Sequence, residues 1–150
     1  MRIALYQPDQ AGNVGTILRL AACFGAAIDV IEPCGFPLSD RGLKRAGMDY
    51  LEMAALTRHA EWAAFEAAAA GRIVLFTTRG EALLPDARFE ADDILLFGSE
   101  SGGAPDAVHA RADLRVRIPI VLQARSLNIA VAAGIGLAEA LRQTGGWPRT

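Results

Sequence analysis

The chain has 150 residues, 52% hydrophobic and 21% charged, with 15 Lys and Arg against 17 Asp and Glu for a formal net charge of -2. That size and balance exclude intrinsic disorder and describe a single domain, 1–150, able to bury a sizeable core. Apolar runs break well before the ~20 residues of a membrane span and no secretory signal is visible, so a soluble cytoplasmic protein is expected, with no membrane association.

In chain order, Arg2–Tyr6 reads as a strand. Asn13–Phe24 reads as a helix with Ile17, Leu20, Ala21 and Phe24 on one face, Asn13 as its N-cap and Gly25 as its stop. Ile28–Ile31 is a second strand, ended by Pro33 and Gly35, and Asp40–Ala46 a short basic helix. The alanine-rich stretch Glu61–Ala70 is helical, anchored by Trp62 and Phe65. Arg72–Thr77 and Ile94–Phe97 are continuous apolar strands of the kind buried on both faces of a parallel sheet. Pro105–Ala110 is a short helix with proline in its first turn, Arg115–Pro119 a strand, and Ser126–Arg142 the longest helix, capped by Ser126. Strands alternating with helices predict an α/β fold with a mostly parallel sheet and flanking helices.

The charge is not the basic footprint of a typical nucleic-acid protein, although a local patch is enough to bind RNA. Lys44 is the only lysine, so the cations are otherwise arginines, which suit bidentate phosphate contacts. Compositional bias in this alanine-rich chain is the better account of most of them. Cys23 and Cys34 fit neither a disulfide scaffold nor a zinc ribbon, and Cys23 reads as a core residue. His59 and His109 lack metal-ligand spacing, so no metal is expected.

In a parallel α/β sheet, ligands bind at the carboxyl ends of the strands. Candidate loops there are Thr77–Gly80, Gly98–Pro105 and Pro119–Asn128, with Gln7–Asn13 leading into the first helix. A dinucleotide fingerprint and a Walker A pattern are both missing. Gly98-Ser99-Glu100-Ser101-Gly102 resembles a nucleophile elbow only superficially, because Glu100 holds the place of the serine. A hydrolase using Ser99 or Ser101 with His109 is a distant reading. The glycines permit tight turns, and Gly102 is a candidate for positive φ. Glu100 caps the next helix or belongs to a site. Arg19, set between Leu18 and Leu20, is harder to account for by packing.

Taken together, these loops resemble the SPOUT superfamily of knotted RNA methyltransferases. The resemblance is to its small single-domain members that methylate the wobble-nucleotide ribose of tRNA, and it covers nearly the whole chain. It rests on Asn13-x-Gly15-x-x-x-Arg19 after Tyr6-Gln7-Pro8, on Ile31-Glu32-Pro33-x-Gly35-Phe36, and on Arg45-Ala46-Gly47-Met48-Asp49-Tyr50. It rests also on Leu96-Phe97-Gly98-x-Glu100-x-x-Gly103-x-Pro105 and on Ile118-Pro119 followed by Arg125-Ser126-Leu127-Asn128.

The resemblance implies a C-terminal trefoil knot, an exception to the rule against threaded loops. It implies S-adenosyl-L-methionine held by Phe76, Thr77, Gly98, Ile118, Ser126 and Leu127, chiefly through main chain. It implies a homodimer burying the first and last helices, and tRNA, through its anticodon stem-loop, as partner. Asn13, Arg19, Glu100, Ser126 and Asn128 form the implied catalytic constellation, with Arg19 beside the ribose oxygen. A guanidinium is a poor base and a good oxyanion stabiliser, so a phosphate or Glu100 accepts the proton. The sulfonium is already an activated donor, so no metal is required. Arg41, Lys44, Arg45 and Arg125 are candidate RNA contacts, a solvated face being an equal reading of the first three.

This chain departs from the family in lacking an arginine beside the motif-two glutamate, where it has Ser99, Ser101 and Gly102. The implied reaction is 2'-O-methylation of the wobble cytidine or uridine of tRNA. The alternatives are a binding module of the same fold without turnover, or a 2'-O-methyltransferase acting on another RNA.

Overall fold

The structure is a computed structural model that describes residues 1–39, 41, 50 and 53–149. Its elements in chain order are β1 (Arg2–Tyr6), α1 (Ala11–Phe24), β2 (Ala27–Ile31), β3 (Leu56–His59), α2 (Trp62–Ala68) and β4 (Ile73–Phe76). They continue with β5 (Ala82–Leu83), a 3-10 turn (Leu84–Asp86), β6 (Ile94–Phe97), α3 (Asp106–Arg111), β7 (Leu114–Arg117) and α4 (Ile129–Thr144).

These strands form one seven-stranded sheet in the order β3-β2-β1-β6-β4-β7-β5. Every strand pair in it is parallel. The register places Tyr6 beside Ile31, Leu5 beside Phe97, and Phe76 beside both Phe97 and Val116. The strands therefore end together, and the loops after β1, β2, β4, β6 and β7 leave from one edge.

Side chains alternate across the sheet, as the two-residue period of a strand requires. Ile3, Leu5, Ile28, Val30, Val74, Phe76, Leu95 and Phe97 point to one face, where α1 and α4 supply Val14, Ile17, Leu18, Ala21, Ala133, Leu137 and Leu141. Ala4, Ile31, Ile73, Leu75, Ile94 and Leu96 point to the other, against Phe65 of α2 and Val108 of α3. Both faces are covered, so β4 and β6 are apolar at every position. Full burial of each large aliphatic side chain stabilises by about 1.5–3 kcal/mol, which makes the alternation the main determinant of the fold.

Two charged clusters pack against the sheet, one around Asp29 in the middle of β2 and one around Asp93 just before β6. Buried Asp29 accepts from Arg2 Nε at 2.7 Å and Arg2 Nη2 at 2.9 Å, and lies 2.7 Å from His59 Nε2. Arg72 makes a similar fork to buried Asp93.

The sequence reading needs correction at several boundaries. The first helix begins at Ala11, with Gln10 as N-cap, so Asn13 lies inside it. The last begins at Ile129 with Asn128 as N-cap, so Ser126 caps nothing. Pro105 is the N-cap of α3 rather than a first-turn residue. Strands β3 and β5 were not anticipated: β3 is a half-exposed edge strand, and β5 is only two residues long. Cys23 is exposed, because the α1 face that packs on the sheet runs through Val14, Ile17, Leu18 and Ala21. The basic segment Asp40–Ala46 lies outside the described residues except for Arg41, which is exposed.

Candidate active site

The chain leaves β1 through Gln7, which adopts a positive φ of 44° and donates its N–H to the Ile31 carbonyl at 2.9 Å. Because α1 already starts at Ala11, the Asn13 side chain is available for tertiary contacts. Its Nδ2 donates to Glu100 Oε1 at 3.0 Å, and its Oδ1 accepts from Asn128 Nδ2 at 3.0 Å. Asn128 caps α4 with its own Oδ1, which accepts from the amides of Ala130 at 2.8 Å and Val131 at 3.3 Å. The second Glu100 oxygen accepts the Asp9 amide at 2.7 Å. Asp9 returns the contact, its Oδ2 accepting the Ser101 amide at 2.8 Å, and hydrogen bonding from the Ser101 side chain, then from its amide, holds the carboxyl below the usual carboxylate range. Glu100 therefore joins separate loops and does not cap α3, whose N-cap makes no side-chain bond.

Beside this network lies a cleft of about 570 Å³, in the size range of small-molecule sites. Phe76, Thr77, Gly98, Ile118, Ser126 and Leu127 all line it, together with Glu100 and Asn128. The ring of Phe76 stacks on Phe97 at 4.8 Å and on Phe89 at 6.2 Å, giving the cleft a rigid apolar floor. Gly98 has no room for a side chain, since a Cβ there would stand 2.3 Å from the Gly103 carbonyl carbon. The positive φ in this loop is at Gly103, 65°, and not at Gly102. Ser99 and Gly103 close the loop by reciprocal backbone bonds of 3.1 and 2.9 Å.

Arg19 and Asn13 are not in the cleft wall. Asn13 reaches it through Glu100 and Asn128. Arg19 is exposed farther along α1, with its guanidinium carbon 5.1 Å from the centre of the Tyr50 ring. Arg125 is exposed, and Lys44 and Arg45 lie outside the described residues. The geometry gives the hydrolase reading no support: the Ser99 hydroxyl bonds Gly103 O and Gly102 N, and among the described residues no hydrogen bond joins Ser99 or Ser101 to His109.

Sequence reasoning did not single out Arg79 and Arg117, and named His109 only for the hydrolase reading; all three also line the cleft. Arg79 pairs with Asp106 at 3.2 Å. Burial, and then the charge of Arg79, push His109 below the ordinary imidazole value. Only the position of these residues after strand ends or in the facing helix marks them, and that is a property of the fold. Asp9 carried a local signal, a Pro-Asp turn between a strand and a helix, but its partner is distant in sequence.

Fold and site define a class: a parallel α/β protein with its ligand cleft at the carboxyl edge of the sheet, floored by aromatics and walled by glycine-rich loops. Residues 1–138 match the SpoU rRNA Methylase family, and the chain belongs to it. Among similar proteins, the tRNA (cytidine(34)-2'-O)-methyltransferase of Ancylobacter novellus is 50% identical over 100% of this chain and 97% of its own length. A solved structure bearing on the 2-OH methylation of C/U34 on tRNA superposes with a TM-score of 0.89. It is 45% identical and covers 95% of this chain and 94% of its own. The AdoMet-bound rRNA methyltransferase from Sinorhizobium meliloti superposes with a TM-score of 0.83 at 31% identity, over 94% of this chain and 55% of its own.

Proposed function

We propose that the chain methylates the 2'-hydroxyl of the wobble cytidine or uridine in tRNA, with S-adenosyl-L-methionine as methyl donor. The observation that carries this reading is the hydrogen-bonded chain Asp9–Glu100–Asn13–Asn128. It ties the start of α1 to the wall of a nucleoside-sized cleft. Similarity to the wobble-ribose methyltransferases over nearly the full length of both chains supports the substrate.

The residues present fit the donor. Phe76, Ile118 and Leu127 offer apolar contact to a nucleoside, and Thr77, Gly98 and Ser126 offer main-chain and hydroxyl partners. When bound, the donor supplies a methyl group already activated by a positive sulfur.

The protein's share is orientation and charge. Arg19 stabilises the negative charge that develops on the ribose oxygen. Both Glu100 oxygens already accept protein hydrogen bonds, so Glu100 acts as anchor of the network and an RNA phosphate oxygen takes the ribose proton. Asn13 and Asn128 fix the distance between α1 and the cleft, and Ser126 lines the cleft just ahead of Asn128.

The catalytic unit is read as one domain, 1–150, with the C-terminal segment threaded in a trefoil knot. The insertion of β6 between β1 and β4, and the convergence of loops 98–105 and 118–128 on one cleft, support that topology. The active form is a homodimer. Val131 (50% exposed) and Ile135 lie one turn apart on the outward side of α4, and Leu122 is fully exposed. No described helix is long and apolar enough to cross a membrane, and the cytoplasm, where tRNA is modified, is the proposed compartment.

The test is methyl transfer from labelled donor to unmodified tRNA, with the product mapped at nucleotide resolution. A single 2'-O-methyl mark at the wobble position is expected. A mark elsewhere, or only in ribosomal RNA, overturns the substrate. Donor binding without transfer to any RNA supports a binding module instead.

A further inference from the structure

Asp9 lies where three loops of the carboxyl edge meet. Its amide donates to Glu100 Oε2 at 2.7 Å, and its Oδ2 accepts the Ser101 amide at 2.8 Å. Two bonds of opposite direction thus join the segment before α1 to the loop after β6, between residues 91 and 92 positions apart in the chain. The third loop presses from the other side. The Gly35 amide donates to the Pro8 carbonyl at 3.0 Å. A Cβ at Gly35 would stand 2.9 Å from Asp9 Cα and 3.0 Å from its carbonyl oxygen. Any side chain at Gly35 would push Asp9 away from that loop, and the hydrogen bonds of Asp9 resist that movement.

We propose that Asp9 is a positioning residue for methyl transfer, a clasp that holds Glu100 where it can accept from Asn13. The inference rests on the reading of Asn13, Glu100 and Asn128 as the reaction's network. Without the clasp, the Ser101 amide loses its acceptor and the 98–103 loop, which lines the donor cleft, is tied to the α1 segment from one side only. Glu100 then samples positions in which Asn13 has no partner. Asn13 in turn orients Asn128 at the start of α4, so one misplaced carboxylate loosens both helix starts that border the cleft. The Asp9 side chain is kept ionised by its contact with Ser101, so the clasp carries its full charge throughout the neutral range and is weakened only in acid.

The test is a double-mutant cycle on single-turnover rates, which keeps slow variants measurable. Asp9→Ala is expected to lower the rate about tenfold or more, with donor and tRNA dissociation constants within about twofold, since a hydrogen bond to a charged acceptor is lost. Asp9→Asn keeps an oxygen for the Ser101 amide and is expected to recover the rate to within about threefold of the parent. On a Glu100→Ala background, Asp9→Ala is expected to cost nothing further, because a clasp with nothing to hold has no function. If the two losses multiply, Asp9 acts independently of Glu100 and the proposal is overturned. Should Asp9→Ala fail to fold, Gly35→Ala displaces Asp9 from the opposite side. It is expected to show the same rate loss, and the same disappearance of that loss with Glu100→Ala. A parent-like rate for Asp9→Ala, with Arg19→Ala inactive and Glu100→Ala slowed but measurable, also rejects the clasp. Full activity in those latter two variants rejects instead the underlying reading of the site.

Discussion

Arg19 is anchored only by the face of one aromatic ring among the described residues, the contact to Tyr50 at 5.1 Å. Such a contact contributes about 0.5–1 kcal/mol at an exposed site. Arg19→Ala is therefore expected to keep its melting temperature within a few degrees and its donor affinity nearly unchanged, while methyl transfer is abolished. Calorimetry and a transfer assay on the same preparation check this. Loss of donor binding together with turnover would make Arg19 structural. Glu100 and Asn128 stand in contrast, since each has its polar atoms committed to backbone or side-chain partners. Asn128→Ala is expected to cost about 1 kcal/mol of stability through the lost helix cap as well as lowering the rate. Thermal unfolding and the transfer rate, measured in parallel, separate the two effects.

At the scale of elements, the packing of α4 on the sheet is set by a glycine. A Cβ at Gly136 would approach Phe76 Cζ to 2.7 Å and Cε1 to 2.8 Å. That ring is stacked on Phe89 and Phe97 and cannot swing aside. Gly136→Val is expected to destabilise the fold by about 1–3 kcal/mol, the usual cost of overpacking, despite a better helix propensity than glycine. Since Phe76 floors the cleft, donor affinity should fall as well. Denaturant unfolding and calorimetry with S-adenosylhomocysteine check both parts. A parent-like stability would mean that the sheet face yields more easily than its aromatic stack suggests.

At the scale of the whole molecule, an outward apolar row on α4 and a fully exposed Leu122 are a poor solvent surface. If the proposed dimer forms through this surface, Ile135→Asp is expected to be monomeric by light scattering at micromolar concentration where the parent is dimeric. A native circular-dichroism spectrum and little methyl transfer are expected with it. A parent that is itself monomeric would remove the dimer.

The missing cation beside Glu100 is tested at the same scale. Ser99 holds the Gly102 amide with its hydroxyl, at 3.1 Å, whereas Gly102 has ordinary backbone geometry and only the Ser99 hydroxyl at 3.4 Å near its Cβ direction. Gly102→Arg is thus the cleaner probe. One added phosphate contact should tighten tRNA binding and steepen the log–log salt dependence by about one unit. Unchanged affinity and slope would show that the position does not face a phosphate.

Periodicity and motif spacing alone supported the α/β class, the buried central strands β4 and β6, and the run of loops at one edge. Each of these is local, because a strand buried on both faces is apolar throughout and a helix end carries its own stop signal. The cleft-lining residues Phe76, Thr77, Gly98, Ile118, Ser126 and Leu127 were legible for a different reason: they belong to a few short segments whose order along the chain is itself distinctive. Tertiary structure decided which polar side chains are helix caps and which are network members. Asn13 looked like a cap and is a bridge, while Ser126 yielded the cap to Asn128, because a cap depends on where the helix starts. Cys23 and the edge strands β3 and β5 were likewise beyond a linear reading, since exposure on a helix and pairing at a sheet edge depend on what lies alongside. The clasp of Asp9 on Glu100 is the extreme case. A hydrogen bond between loops so far apart in the chain leaves no local pattern, and only the shared register of β1 and β6 brings its two ends together.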